Sequence, residues 1–269
     1  IPPNVLGNLE KIPSSKANST NAIYGIDGSP VVKDIYFDDT PNDGTTNPRW
    51  RTILLGGLGV GGKGLYAIDI TNPNSPTHLF AISNDESNKA IQHWGSNRFK
   101  NEFGYAGGSI DPKYDYRKLG EAWSTPRIIR IKVDSKDKWV AVFGGGYNGA
   151  VNPNVGSAVF VMDLEDEGRL LKVIDIEDTA NDIVNSLPAD LSVITANGTK
   201  KANYNGAMVY ATDLEGKVTK INLTENFIID TDQNSSTYNS IVRPVASDKE
   251  VQQTTLFTAE ATSANGRYI

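Results

Sequence analysis

The 269-residue sequence contains no cysteine and only two histidines. The absence of cysteine excludes disulfide bonds, thiolate metal sites, thiol nucleophiles and cysteine-ligated iron–sulfur clusters. Neither His78 nor His93 lies beside a Gly-x-Ser-x-Gly motif or in a His-x₃-His spacing, so nucleophilic catalysis with an imidazole base is not predicted. Both histidines are expected at the surface or in loops.

Long apolar runs are also missing, and the sequence therefore predicts no transmembrane helix. The first residues lack the basic and apolar regions of a signal peptide, and the chain opens on Ile1 rather than Met. We expect a piece of a longer protein whose upstream signal or other domain is missing. With 32 acidic against 26 basic residues the net charge is -6, which disfavours nucleic acid as a partner.

Short runs of β-branched and aromatic residues between Gly, Pro, Asn and Asp predict many strands. The chain is long enough for one large all-β domain or for two small domains. Helical periodicity is scarce, and residues 85–93 and 178–186 are predicted as loops with helical turns. The predicted strands are 29–35, 51–55, 64–70, 125–133, 139–143, 158–163, 207–211 and 217–223.

A weak internal repeat joins residues 50–71, 138–168 and 207–223. Each unit has an apolar strand, a turn containing glycine and a second strand, and the first two units follow a Ser/Pro segment at 27–32 and 121–131. Proline suits the start of a strand because no ladder N–H is needed there. The repeat predicts four-stranded blades of a β-propeller, with a β-sandwich as the alternative.

These elements, in this order over residues 23–262, resemble the C-terminal domain of the PilC/PilY type IV pilus tip-associated adhesins. The specific parts are Trp50-Arg51-Thr52 before the Gly-rich hairpin and the Tyr-Ala-x-Asp-Leu-x-Gly segment at 210–216. The resemblance implies an all-β fold, a modified quinoprotein-like β-propeller with four-stranded antiparallel blades and long loop insertions.

The resemblance also implies an extracellular protein at the bacterial surface, at the pilus tip or associated with the outer membrane. Its implied partners are type IV pilus subunits and the host cell surface or extracellular matrix. Its implied roles are pilus biogenesis, host-cell adherence and twitching motility, with modulation by calcium.

The family domain is similar to a seven-bladed ring, whereas this chain has three or four blade-like units. We therefore expect residues 1–269 to form a single propeller domain or a fragment of one. Residues 83–116 and 225–250 are predicted loop insertions, and 83–116 is the expected place of any local adhesion site because long ordered loops are commonly functional.

Calcium is the metal that the resemblance raises, but the corresponding loop at 196–206 contains no carboxylate and carries two lysines. That family site is predicted to be lost. Asp230, Asp232 and Asn234 have the one-three-five spacing that begins an EF-hand loop, although Ser235 replaces the usual glycine and Ile241 the bidentate glutamate. The two interpretations of this segment are a calcium loop and a solvated polar loop.

Aromatic and acidic residues give the remaining expectations. Trp50, Trp123 and Trp139 precede strands and are expected in the core, whereas Trp94 lies in the polar insertion and is the candidate surface contact. The acidic run at 163–167 is expected to be an exposed hairpin tip.

The chain is predicted not to be an enzyme. One alternative is a quinoprotein dehydrogenase, but typical members carry a vicinal cysteine pair that this chain cannot supply, and no PQQ is expected. The other alternative is a carbohydrate-binding propeller that uses Trp94.

Overall fold

The computed structural model describes residues 1–12, 22–37, 49–149, 154–177, 185–195, 206–224, 226–235, 241–244 and 253–258. Helical structure in these ranges is limited to a 3₁₀ turn at Pro3–Val5, a one-turn helix α1 at Leu6–Leu9 and a 3₁₀ turn at Pro112–Tyr114. None of these helices approaches the length and apolarity needed to cross a bilayer.

The described residues form sixteen strands. The first six are β1 (Val31–Phe37), β2 (Arg49–Gly57), β3 (Gly64–Asp69), β4 (Thr77–Asp85), β5 (Ala90–Trp94) and β6 (Lys100–Gly104). The next four are β7 (Arg127–Val133), β8 (Lys136–Gly144), β9 (Ala158–Asp163) and β10 (Leu170–Asp175). The last six are β11 (Ser192–Thr195), β12 (Ala207–Thr212), β13 (Lys217–Asn222), β14 (Asn226–Ile229), β15 (Ile241–Pro244) and β16 (Gln253–Thr258).

The strands form three sheets, each built on a four-stranded antiparallel unit. Sheet 1 has the order β1-β2-β3-β4-β5-β6, sheet 2 the order β10-β9-β8-β7-β14-β15, and sheet 3 the order β11-β12-β13-β16. The sequence repeat falls on β2–β3, β8–β9 and β12–β13, which are the central pairs of the three units. The predicted all-β fold with four-stranded antiparallel blades is confirmed.

Sheet 2 lies between the other two sheets. Along β9, Ala158, Phe160 and Met162 pack into the core shared with sheet 1, whereas Val159 and Val161 pack into the core shared with sheet 3. A strand covered on both faces needs apolar residues at every position, which is why β9 is a continuous apolar run. In the described residues the sheets form a row of three that does not close into a ring.

Backbone hydrogen bonds join the Gly-rich hairpins of sheets 1 and 2 to the segment that leads into the next sheet. The Gly59 N–H donates to the Ala122 carbonyl oxygen at 3.2 Å, and the Gly146 N–H donates to that of Leu187 at 3.0 Å. Leu187 belongs to an Asn-Ser-Leu-Pro segment at 185–188, which is a third copy of the Ser/Pro motif that the sequence comparison missed.

The last strand of each central pair ends in the same side-chain cap. Oδ1 of Asp69, Asp163 and Asn222 accepts the backbone N–H two residues later, at 2.9, 2.9 and 3.0 Å. Such Asx turns stop a strand by giving its backbone a local partner. The Asp69-Ile70 and Asp163-Leu164 pairs of the sequence repeat are therefore turn signals.

The first two caps also pair with a cation on the neighbouring strand. Arg51 lies 3.3 Å from Asp69, and Lys138 lies 2.7 Å from Asp163. In sheet 3, Asn222 is paired with Met208. The position equivalent to Arg51 and Lys138 is therefore Gly206, two residues before Met208. The neutral Asn222 therefore replaces aspartate at the position where the neighbouring strand supplies no cation.

Residues 83–116 differ from the predicted loop insertion. β4 continues to Asp85, and β5 and β6 add to its free edge, so much of this span extends sheet 1. Residues 90–94 are a strand rather than helical turns, because Ile91 and His93 are buried against the core while Gln92 is not. Polar residues between these side chains obscured the alternation.

Residues 225–250 include the strands β14 and β15. β14 pairs in parallel with β7, which places this segment at the edge of sheet 2 although it lies in the chain between β13 and β16 of sheet 3. Residues 236–240 and 245–250 lie outside the described residues, as do 178–184 of the second predicted helical-turn segment.

Candidate functional site

A groove of about 770 Å³ lies where the two predicted insertions meet. One side is formed by the end of β6 and the chain that follows it, and the other by the loop after β14. The lining includes Phe103, Gly104, Asp111, Pro112, Asp115, Arg117, Gln233 and Ser235. Segments more than a hundred residues apart in the sequence therefore form one concave surface.

The charged lining of the groove is fixed by hydrogen bonds. Arg117 donates from Nε and Nη2 to the two oxygens of Asp115, at 2.6 and 2.8 Å, and from Nη1 to the Gly108 carbonyl oxygen at 2.9 Å. The hydrogen bonds to Asp115 raise the pKa of Arg117 above its ordinary value. This bidentate pair gives the groove a rigid polar surface in which the two charges offset each other.

Stacked aromatic rings support the same side of the groove. Phe103 lies parallel to Tyr114, with 3.7 Å between the ring centroids. Arg169 of sheet 2 donates from Nε to the Tyr114 hydroxyl oxygen at 2.7 Å. The groove wall is therefore attached to both sheet 1 and sheet 2.

The predicted calcium loop forms the rim opposite. Oδ1 of Asp230 accepts the Asp232 N–H at 2.9 Å, and Oδ1 of Asp232 accepts the Asn234 N–H at 3.0 Å. Gln233 and Ser235, from the same loop, line the groove. The sequence predicted the loop but not its position beside residues 103–117.

The described residues supply only part of a calcium site. Ca²⁺ takes six to eight oxygen ligands. The loop offers two aspartates and one asparagine, and among described residues no three His, Cys, Asp or Glu side chains come together to hold a metal. Calcium binding by Asp230, Asp232 and Asn234 stays a prediction. Residues 196–205, most of the loop predicted to have lost the family site, are outside the described ranges.

The tryptophans are distributed differently from the prediction. Trp94 lies on β5 and packs, half-buried, against the cluster of Val5, Leu58, Tyr66 and Ala81. Trp139 is in the core as predicted, with 8% exposure, but Trp50 is 58% exposed. The core prediction for Trp50 is wrong because its side chain lies on the outer face of sheet 1, where the ring of Tyr36 is 5.5 Å away.

The prediction for Trp123 is also wrong. This side chain is 36% exposed and donates from Nε1 to the Glu121 carboxylate at 3.1 Å. It lies in the connection before β7, where a position next to a strand does not ensure burial. Position before a strand was therefore a poor guide for two of the three tryptophans.

The acidic turn between β9 and β10 is not an exposed tip. Asp163 is 3% exposed, and Glu165 accepts the Trp139 N–H at 2.8 Å. Glu167 reaches sheet 1, where its Oε1 accepts the N–H and the hydroxyl of Ser96 at 2.9 and 2.8 Å. The turn is polar because it supplies hydrogen bonds across the gap between two sheets.

His93 is a buried core residue rather than a surface one. Its side chain is 2% exposed, and its Nε2 lies 2.8 Å from the Glu167 carbonyl oxygen. Burial lowers the pKa of His93 below its ordinary value. Burial also lowers the pKa of His78, which is half-buried on β4. His93 lies two residues after the apolar Ile91, on the same face of the strand. This alternation was the signal that could have identified His93 as buried.

Comparisons with known proteins agree with this architecture. A family model described as the PilY1 β-propeller domain matches residues 4–252. The chain is 26% identical over 226 residues to the type IV pilus biogenesis factor PilY1 of Pseudomonas aeruginosa (strain UCBPP-PA14), covering 84% of this chain and 15% of that protein. It is 28% identical over 209 residues to the PilY1 homolog of Xylella fastidiosa, covering 75% of this chain and 11% of that one.

The chain thus spans less than a sixth of the length of either relative. Among solved structures, the crystal structure of the Pseudomonas aeruginosa PilY1 C-terminal domain aligns with 80% of this chain and 34% of its own, at 23% identity and a TM-score of 0.46. The family model covers nearly all of the three sheets and of the inserted strands. This chain belongs to the PilY1 β-propeller domain family.

Proposed function

We propose that this chain is a non-catalytic contact module of a type IV pilus-associated protein at the bacterial surface, and that the groove between its two insertions is the contact site. Its partners are type IV pilus subunits and the host cell surface or extracellular matrix. The module supports pilus biogenesis, adherence and twitching motility from the pilus tip or the outer membrane. The curated relatives are named as pilus biogenesis factors, which supports this assignment.

The observation that carries the proposal is the convergence of two insertions from different sheets. The repeated blade needs neither β5–β6 nor β14–β15, yet both additions end at one groove with a fixed Arg117–Asp115 pair. Binding residues are commonly placed on loops that a rigid scaffold positions. A polar concave surface of this kind suits contact with another protein.

Several contacts favour a module without chemistry. His93 is buried, and its Nε2 is engaged by the Glu167 carbonyl oxygen. The groove's arginine is held by a carboxylate, so neither group is poised for proton transfer. Incubation with PQQ and calcium followed by an alcohol dehydrogenase assay checks the quinoprotein alternative. Turnover above the buffer rate would refute the non-catalytic proposal.

Calcium is proposed as a modulator of the same groove. Asp230 and Asp232 lie in the loop whose Gln233 and Ser235 form one rim. A bound cation would order this loop and fix the position of the rim.

The decisive experiment fills the groove without disturbing the fold. Gly104 lines the groove and has no atom within 4 Å of a Cβ built on it, so Gly104→Trp adds bulk to open space. Gly7 is equally open but lies in α1, and Gly7→Trp is the matched control. Binding of the two variants to purified type IV pili is compared with that of the parent chain.

We expect Gly104→Trp to weaken binding about tenfold or more, which corresponds to at least 1.4 kcal/mol. Gly7→Trp should bind as the parent does. Equal binding of all three would remove the groove from the interface, and failure of the parent to bind pili would remove the proposed partner.

A second candidate function is carbohydrate binding, which the exposed Tyr36–Trp50 pair favours. Exposed aromatic rings can stack on sugar faces. Glycan-array binding that is lost in Trp50→Ala and kept in Trp94→Ala would support this function at the exposed pair. Loss in Trp94→Ala instead would support the site expected from the sequence.

A further inference from the structure

The turn between β9 and β10 crosses from sheet 2 to sheet 1 and is held there by three groups. The Glu167 carboxylate accepts hydrogen bonds from Ser96, and the Gly168 carbonyl oxygen accepts one from the Tyr116 hydroxyl at 2.5 Å. The Glu167 carbonyl oxygen lies within hydrogen-bond distance of Nε2 of His93. We call this set of contacts the inter-sheet latch. It joins the sheets at a point next to the groove.

The hydrogen bond to Glu167 determines where His93 carries its proton. A carbonyl oxygen can only accept, so Nε2 of His93 must be the donor. Nδ1 then has a lone pair, is buried, and has no hydrogen-bond partner among the described residues. A second proton would place a charged N–H without an acceptor in the interior, which is costly.

Groups on the neighbouring elements affect how readily His93 takes up this second proton. Tyr114 presents its ring to His93 with 5.3 Å between centroids, and Arg169 opposes a positive charge on the imidazole. The hydrogen bond to the Glu167 carbonyl oxygen and the negative charges of Glu167 and Asp166 favour a positive charge on the imidazole, but burial has the larger effect. On β4, burial is the main cause that lowers the pKa of His78. The positive charge of Arg98 lowers it further, whereas the negative charge of Glu167 raises it.

The latch is continuous with the groove wall. Tyr114 contacts His93 through an edge arrangement and stacks on Phe103, and Arg169 donates to its hydroxyl oxygen. Phe103 and Pro112 line the groove. Any displacement of the imidazole therefore reaches the groove through one aromatic ring.

We propose that His93 makes the inter-sheet latch acid-sensitive: a proton on Nδ1 leaves a charged N–H without an acceptor in the interior, and the imidazole moves toward water, away from Glu167 and Tyr114, which loosens the groove wall. The inference deepens the proposed function, because it gives the contact site a regulation by pH. The latch itself does not depend on which partner the groove binds.

The direction of the pH dependence follows from the lowered pKa of His93. Above the ordinary histidine pKa of 6.5, His93 is neutral in the folded and the unfolded chain, and the latch is intact. As the pH falls below 6.5, the unfolded chain takes up the proton first, so the latch loses stability as the pH approaches the lower folded value. Carboxyl groups with ordinary pKa values near 4 are still ionised at about pH 5.5.

The chain has no cysteine, so two introduced thiols report on the groove alone. Ser109→Cys and Gln233→Cys place spin labels on opposite sides of it. Their distance distribution is measured by pulsed electron paramagnetic resonance at about pH 7.5 and about pH 5.5. We expect one narrow population near neutral pH and an additional, broader one in acid.

His93→Gln is the matching variant, because its amide can still donate to the Glu167 carbonyl oxygen but cannot take up a proton in this range. With His93→Gln in the labelled chain, the distance distribution between the two spin labels should stay narrow at both pH values. With His78→Gln, the distribution should broaden in acid as it does in the parent chain. Broadening in His93→Gln, or no change in the parent, would overturn the proposal.

Imidazole NMR covers the case in which His93→Gln does not fold. With only two histidines, the spectrum of His78→Gln assigns both resonances. His93 should remain neutral to a pH well below 6.5 in the folded chain, and titration at or above 6.5 would refute the latch. Neither measurement uses a ligand, so a chain that fails to bind pili can still confirm or refute this inference.

Discussion

The backbone of Gly144 lies directly against the carbonyl oxygen of Leu187, where a Cβ on the glycine would be only 2.5 Å from that oxygen. Gly57 has the same relation to Ala122 one sheet earlier, at 2.2 Å. In both cases the last glycine of a central strand touches the segment that leads into the next sheet. The close approach of neighbouring sheets therefore requires a residue without a side chain at these two positions.

We expect Gly57→Ala and Gly144→Ala each to lower the free energy of unfolding by about 1–3 kcal/mol, because the methyl group forces two backbones apart. Urea unfolding followed by circular dichroism measures the loss. Gly104→Ala is the control, since its Cβ meets open space, and its effect should stay within about 0.5 kcal/mol. Equal effects at all three glycines would contradict the repeated contact.

The buried pair of Lys138 and Asp163 gives a second prediction. Asp163→Asn should lower the free energy of unfolding by about 3 kcal/mol, because it leaves the mostly buried Lys138 cation without its carboxylate. Asp163→Asn made in a Lys138→Met background should cost clearly less, since sheet 3 combines Asn222 with Gly206 at the position equivalent to Lys138. A double-mutant cycle with no coupling would show that the two charges act independently.

The sequence predicted the central pair of every blade because local rules govern those strands. Apolar runs such as 158–163 follow a turn that contains glycine and end in an Asx turn, and both signals are short-range. The repeat was recognisable for the same reason, since each copy keeps the turn residues that its own hairpin needs. The third Ser/Pro segment, at 185–188, was missed because its spacing from the following strand differs.

The candidate site was less predictable. Its two sides are joined by the parallel pairing of β14 with β7, which no local pattern encodes. The long insertions and the Asp230–Asp232 spacing were visible, but their convergence was not. The burial of His93 and of the acidic turn at 163–167 also depends on packing between sheets, and polar side chains in a sequence do not show that they face a neighbouring sheet.

Tryptophan fluorescence tests the distribution of the aromatic residues. Trp50 is the most exposed of the tryptophans, at 58%, and Trp139 is buried at 8%. Trp50→Phe should therefore remove the largest share of the fluorescence that iodide quenches, whereas Trp139→Phe should leave that share nearly unchanged. The reverse result would place Trp50 in the core, as the sequence suggested.

Calcium titration by calorimetry tests the predicted loop. We expect saturable heat with a dissociation constant of roughly 0.1–1 mM, in the range of extracellular calcium modules. The double variant Asp230→Ala with Asp232→Ala should abolish it, and Asp27→Ala, an exposed aspartate outside the loop, should not. Absence of heat in the unmodified chain would remove calcium from the proposal.

The most direct test of the contact site is photo-crosslinking from the groove. A benzoylphenylalanine at position 104 projects into the groove, and the same residue at position 7 serves as the control. In the presence of purified type IV pili, irradiation should crosslink position 104 to a pilus protein and leave position 7 unreacted. Crosslinks from position 7 alone, or equal yields from both, would contradict the assignment of the groove as the contact surface.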